Sequence, residues 1–321
     1  MDEDPPPSQV MRDAALVVLP GMIQAREGRA WLVEWQGTRG VLRLGPLPAE
    51  SIARARLVED VAWLHGFLTR LAELGFPSPR PLPSFGSLSW AISNGMLWEI
   101  VSFLPGHAVG WAAEPSMEEI GALLARYHAT ARQLDVADQR PGALPLADVP
   151  AILLSGQLHV VGAAPDRAAA ICLLAEQLAR DLDAIGHLTS TRGVIHGDFT
   201  NHNVIADGTP PKPTGVIDFA LAHIETPLAD IGYGLWRSGR PCQAADHLDL
   251  SRTKRFLRGY ASIVRVSADE ARAIPVYLRG RGLQMIAKRV RAGRAETGML
   301  AQVQWLSDNA ATIGDALTAA I

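Results

Sequence analysis

Two short apolar runs, each leading into an aspartate, interrupt a helical pattern in the second half of the chain. The first reads Val194-Ile195-His196-Gly197-Asp198 and continues to Asn203-Val204-Ile205; the second reads Gly215-Val216-Ile217-Asp218-Phe219. β-Branched runs of this length, bounded by glycine and polar residues, signal strands. Residues 168–185 before them and 228–321 after them carry apolar side chains at helical spacing. This pattern constrains the fold to a mainly helical body with a short β-insert. The polar residues H-G-D-x-x-x-x-N and I-D-F then fall at strand ends and turns.

Phosphoryl transfer gives a reason for that set. One carboxylate must orient an attacking hydroxyl and accept its proton, while a second carboxylate and an amide oxygen hold Mg²⁺ against the phosphates of ATP. Asp198 fits the first role, and Asn203 with Asp218 the second. An aspartate five residues before an asparagine spans a short loop, so one can face the acceptor and the other the metal. The spacing matches the kinase catalytic-loop pattern, with Gly197 where arginine usually follows the histidine.

The first half reads differently. Residues 30–35 and 40–44 are expected to be antiparallel strands, residues 50–74 a helix ended by Gly75-Phe76-Pro77, and residues 90–92 and 97–103 a hairpin around Ser93-Asn94-Gly95. Ser116 with Glu119 is a capping-box signature for the next helix, and residues 135–165 are poorly patterned. The expected organisation is a tail over residues 1–10, a strand-rich lobe over 11–104 and a larger helical lobe over 105–321. That is an α+β, bilobal architecture: a small antiparallel sheet with one helix, then a mainly helical lobe.

Composition matters where this half must bind phosphates. Only three lysines occur in 321 residues, Lys212, Lys254 and Lys288, so the first 211 residues contain none. Kinases pair the nucleotide phosphates with a third-strand cation and a helix glutamate. In Val41-Leu42-Arg43-Leu44 that cation is Arg43, and arginine keeps a permanent charge and a bidentate fork. Glu59 on the following helix is its expected partner, with Asp60 as the fallback. No G-x-G-x-x-G occurs, and the turn over 24–29 is either the segment that covers the nucleotide or a plain hairpin turn.

His196-Gly197-Asp198 through Asn203, Ile217-Asp218-Phe219 and Asp230-Ile231 together resemble the aminoglycoside phosphotransferase / choline kinase superfamily, which includes homoserine kinases of the same fold. The resemblance covers roughly residues 15–310 in element order, with its specific motifs in 194–235. It implies a protein-kinase-like bilobal fold and a kinase of small-molecule hydroxyls that uses ATP and Mg²⁺. In the catalytic set, Asp198 would be the base and His196 would brace the loop; Asn203 and Asp218 would hold the metal. Asp230 would support the catalytic loop, or cap the next helix. Main-chain groups near Val101 and Phe103 would meet the adenine. A full protein kinase is disfavoured, because no A-P-E element follows Asp218 and the segment to Asp230 is short. A catalytically degenerate, nucleotide-binding or scaffolding member of the same fold is the alternative.

Charge bears on the partners. The formal net charge of −3 argues against a dedicated nucleic-acid binder. Two cysteines, Cys172 and Cys242, without metal-type spacing argue against a disulfide scaffold or zinc finger. An acidic, proline-rich start and the lack of a long apolar run argue against a signal peptide and a membrane span, so a cytoplasmic location is expected. Residues 230–321 hold 14 Arg or Lys against 8 Asp or Glu. That surplus favours a neutral, zwitterionic or anionic acceptor over a polycationic one. Its densest cluster is Arg279, Arg281, Lys288, Arg289, Arg291 and Arg294, read either as a solvated helix face or as holding one or two residues that contact an anionic substrate group.

Overall fold

A computed structural model describes residues 8–22, 29–48, 50–110, 116–136, 138–140, 142–189, 191–242, 244–294 and 298–321. The chain divides into two units, Met1–Pro105 with Arg140–Gly142, and Gly106–Gln139 with Ala143–Ile321. The architecture is bilobal α+β.

The first unit contains α1 (Ser8–Asp13), β1 (Val17–Met22), β2 (Arg29–Trp35), β3 (Thr38–Pro46), α2 (Ser51–Glu73), β4 (Trp90–Ser93) and β5 (Met96–Ser102). Its five strands form one antiparallel sheet in the order β1-β2-β3-β5-β4. Period-two alternation puts Trp31 and Val33 of β2, Leu42 of β3, and Trp98 and Ile100 of β5 into one buried cluster. Trp31 stacks on Trp98 with ring centroids 5.9 Å apart. Two hairpins close through pairs of left-handed residues, Gln36-Gly37 (φ 47° and 77°) and Asn94-Gly95 (φ 52° and 71°). Such turns match the twist of the strands they join. α2 buries Leu64, Phe67, Leu68 and Leu71 along one stripe.

The expected tail over residues 1–10 is too long. Ser8 starts α1, whose Val10 joins the same apolar cluster as Trp31, together with Ala14 just beyond the helix, so burial orders it. Residues 24–28 of the expected nucleotide-covering turn lie outside the described residues.

The second unit begins with β6 (His107–Ala108) and α3 (Met117–Ala131). Ser116 and Glu119 form the expected capping box at the start of α3. Two short helices, α4 (Val149–Leu154) and α5 (Gln157–Val160), occupy the poorly patterned segment and precede α6 (Pro165–Ala184). The β-insert follows as β7 (Gly193–Ile195), β8 (Val204–Asp207), β9 (Lys212–Val216) and β10 (His223–Glu225). β10 pairs with β7, while β6, β8 and β9 form a separate three-stranded sheet. The helices α7 (Pro227–Ser238), α8 (Leu250–Ala261), α9 (Ala268–Arg291), α10 (Leu300–Asp308) and α11 (Ala310–Thr318) complete the unit. α7 and α9 touch closely at Gly232, where an added Cβ would lie 2.6 Å from Tyr277 Cβ. This brings α9 against the helix that braces the β-insert.

The expected boundary after residue 104 does not account for Arg140 and Gly142, which return to the first unit. Asp60 on α2 holds them: it accepts from Arg140 Nε at 2.6 Å and from the Gly142 N–H at 2.9 Å. Among the described residues, no helix is long and apolar enough to cross a membrane.

Candidate active site

The turn after β7 carries His196, Gly197 and Asp198, and the short turn before β8 carries Asn203. Gly197 has φ +74°, and a Cβ there would sit 2.2 Å from the Leu221 carbonyl oxygen. Only glycine fits, which accounts for its place where arginine usually follows the histidine. Asn203 Nδ2 donates to the Asp198 carbonyl at 2.9 Å and to Asp198 Oδ2 at 3.3 Å. With the amide nitrogen so used, the amide oxygen is the atom through which Asn203 can ligate a cation.

Asp218 follows β9 in a left-handed conformation, φ 63°. A non-glycine residue there is uncommon, and such backbone outliers concentrate at functional sites. Its neighbour Ile217 ties it to the rest of the site. The Ile217 N–H donates to the Asn203 carbonyl at 2.8 Å, and the Ile217 carbonyl accepts from His196 Nε2 at 3.0 Å. His196 Nδ1 in turn accepts from the Asp198 N–H at 3.2 Å, which fixes the ring proton on Nε2. His196 is fully buried, and Phe219 packs on it with ring centroids 4.5 Å apart. Both ring nitrogens therefore hold backbone groups of the two loops.

Asp230, in the first turn of α7, supports this arrangement from behind. Its carboxylate accepts from the His196 N–H at 2.7 Å, the Gly197 N–H at 3.0 Å and His128 Nε2 at 3.0 Å. Burial by itself would raise its pKa. The His128 hydrogen bond and charge, with His196, outweigh that and hold the carboxyl below the usual aspartate value. The cap of α7 is Thr226, whose side chain accepts from the Leu228 N–H, so Asp230 is not the N-cap.

One contact has no sequence signal. Arg281 on α9 donates from Nη2 to Asp198 Oδ1 at 2.7 Å, across 83 positions. Its side chain is 5 % exposed against 35 % for that of Asp198. Nη1 donates to Gln284 Oε1 at 2.6 Å, and Gln284 Nε2 donates to the Leu144 carbonyl at 2.7 Å. The guanidinium also lies 5.0 Å from the centre of the Tyr233 ring. Arg279, two residues earlier, joins helices instead. It pairs with Asp181 of α6 and donates to Ser307 Oγ of α10 at 3.4 Å. Arg291 and Arg294 are exposed. The basic cluster thus contains a structural tie, two exposed charges and one arginine on Asp198.

The charges of the first unit pair differently from expectation. Glu59 is exposed on α2, and among the described residues no ion pair joins it to Arg43. Asp60 is buried and engaged by Arg140. The carboxylate directly across the sheet from Arg43 is Glu99 on β5. Glu99 Oε1 accepts from His65 Nε2 at 3.0 Å, and His65 Nδ1 meets Ser89 Oγ at 2.6 Å. Burial would raise the Glu99 pKa, but the His65 hydrogen bond and the charges of His65, Arg43 and Arg140 outweigh it and lower the pKa. Val101 pairs with Val41 inside the sheet. The Phe103 N–H donates to the Arg39 carbonyl at 3.0 Å, which commits that group to the end of the β3–β5 ladder.

Among the described residues, no cluster of three or more His, Cys, Asp or Glu is arranged to hold a metal. Asn203 and Asp218 offer hard oxygen donors, and Mg²⁺ commonly takes one or two protein oxygens with substrate phosphates and waters. The donor set therefore fits Mg²⁺ held together with a phosphate ligand.

Comparison with known proteins bears on the family and the fold. The sequence model of the phosphotransferase enzyme family matches residues 24–263. A homoserine kinase of Bradyrhizobium sp. is 26 % identical over 243 residues, covering 73 % of this chain and 68 % of the relative. Among solved structures, an amicoumacin kinase in complex with AMP-PNP, Ca²⁺ and Ami superposes with a TM-score of 0.64 at 18 % identity, covering 96 % of this chain and 93 % of the other. A microcompartment-associated aminopropanol kinase superposes with a TM-score of 0.63 at 15 % identity, covering 94 % and 92 %.

Proposed function

This chain belongs to the phosphotransferase enzyme family, and on that premise we propose that it transfers a phosphoryl group from ATP to the hydroxyl of a small molecule with Asp198 as the base. The coarse activity, a small-molecule kinase acting on a hydroxyl, follows from its kinship with homoserine kinases. The observation that carries the finer reading is the Asp198–Asn203 pair, tied through His196 and Ile217 to Asp218.

Asp198 accepts the hydroxyl proton and orients the attacking oxygen. Its carboxylate is part-exposed, as an acceptor requires, while its main chain is fixed by His196 and Asn203. Asn203 and Asp218 hold Mg²⁺ through oxygen. Bound MgATP supplies the phosphoryl group and neutralises charge on its phosphate oxygens. Arg43 takes the phosphates in place of a lysine, and its strand neighbour Glu99 orients it in place of Glu59. Adenine is read by main-chain groups near Val101 and Phe103, at the latter by the carbonyl. The acceptor is neutral, zwitterionic or anionic, in keeping with the basic surplus of residues 230–321.

ADP release from a panel of hydroxy amino acids, amino alcohols, sugars and aminoglycosides, with and without Mg²⁺, tests this reading. Mg²⁺-dependent release with one non-polycationic acceptor is the expected result. Mg²⁺-dependent ATP binding with no transfer to any acceptor would instead support a scaffold.

A further inference from the structure

We propose that Arg281 is the residue that selects the acceptor, by binding a carboxylate carried a short carbon chain away from the hydroxyl that Asp198 activates. The inference rests on the phosphotransferase reading and names the acceptor class for the same site.

Burying a guanidinium is costly unless its donors are satisfied. Arg281 is nearly fully buried, yet among the described residues it makes two hydrogen bonds, to Asp198 Oδ1 and Gln284 Oε1. An arginine has five N–H donors in a planar fork, so most of its capacity is unspent. The fork is held in place by its surroundings. Gln284 fixes Nη1 and is itself anchored to the Leu144 carbonyl. The Tyr233 ring lies against the guanidinium, and α9 carries both Arg281 and Gln284. Of these partners, Asp198 is the one that is part-exposed.

A structural ion pair would not need the base. Arg279, on the same helix, shows the structural solution: both its bonds go to side chains of neighbouring helices, Asp181 and Ser307. Arg281 instead puts its charge on the carboxylate that must receive an acceptor proton. A bare alcohol gains nothing from that cation, and a polycation is repelled by it. A planar carboxylate on the acceptor matches the fork, and such charge-assisted pairs give geometric selectivity as well as affinity. Because Arg281 and Asp198 touch, the acceptor's carboxylate and hydroxyl must be close together. A hydroxy amino acid of homoserine size meets that requirement.

The test compares L-homoserine with 3-aminopropan-1-ol, the same molecule without its carboxylate. Wild-type kcat/KM is expected to favour L-homoserine by about 100-fold or more, because a site built to bond a polar group rejects the analogue that lacks it. Arg281→Gln should raise KM for L-homoserine and cost about 100-fold in its kcat/KM, against less than about 10-fold for 3-aminopropan-1-ol. Arg281→Lys, which keeps the charge but loses the fork, should recover part of the preference. Thermal melting and ATP binding check that each variant is folded, and the lysine variant decides if the glutamine variant is not. Equal losses for the two acceptors, or a wild-type preference for 3-aminopropan-1-ol, would overturn the proposal. Turnover of an aminoglycoside alone would also overturn it while leaving the phosphotransferase reading standing. Turnover of no acceptor in the wider panel would sink that reading itself.

Discussion

Each unit contains a buried aspartate at the centre of a hydrogen-bond cluster, and the two are built differently. Asp230 in the second unit receives two backbone N–H groups of the turn that carries Asp198 and one histidine. Asp60 in the first unit receives a side-chain guanidinium and the backbone of a segment that returns from beyond α3. The first therefore shapes the loop to which the chemistry is assigned. The second fastens a connection. Burial and charge look alike at the two sites, and the identity of the donors separates their roles.

Substitution at Asp230 should have the largest effect on both shape and activity. Asn fills the same volume but turns an NH₂ donor toward groups that are themselves donors. Asp230→Asn is expected to cost about 3–5 kcal/mol of stability and to lower kcat by roughly 100-fold or more through the displaced Asp198 loop. Urea denaturation and initial rates measure the two effects. A variant with normal kcat would break the distinction between the sites.

The same residue sets an acid limit. Its folded pKa lies below the usual aspartate value. Its contribution is thus fully present above the unfolded value and is lost as pH falls through the lower folded one. Wild-type stability should fall in that acid window, and Asp230→Asn should fall less steeply there. Denaturant midpoints at a series of acid pH values would show equal slopes if Asp230 were not responsible.

Asp60→Asn is the smaller test for activity. The Arg140 guanidinium would lose its anionic partner, at a cost of about 3–5 kcal/mol. At a temperature where the variant is folded, kcat should stay within about 10-fold of wild type, because the Asp60 carboxylate bonds Arg140 and Gly142 of its own unit. A kcat loss as large as that for Asp230→Asn would erase the contrast.

The two units are also unequally legible in the sequence, for a physical reason. Local chemistry can be read in both: the capping box of Ser116 and Glu119, the Asn94-Gly95 hairpin and the stripe on α2 depend on neighbours a few positions away. The candidate catalytic residues stand out because His196, Asp198 and Asn203 lie within one loop. The long-range pairs leave no trace. Asp60 and Arg140 are 80 positions apart, Asp198 and Arg281 are 83 apart, and His65 and Glu99 are 34 apart. No spacing rule links such residues, so Glu59 stands out as well as Asp60, and Arg281 reads as one charge among several on a helix face. A buried arginine on α9 becomes conspicuous only when its partner is seen.

The proposed role of Asp198 as the base of a phosphoryl transfer is open to a direct test. Asp198→Asn keeps the volume of the side chain and the main-chain bonds of its loop, but replaces the proton-accepting carboxylate with an amide and removes the anionic partner of Arg281. Single-turnover phosphorylation of the best acceptor, measured beside ATP affinity, tests it directly. The expected result is a rate loss of about 10²–10⁴-fold with ATP affinity near that of the wild type. A variant that transfers phosphate at close to the wild-type rate would contradict it.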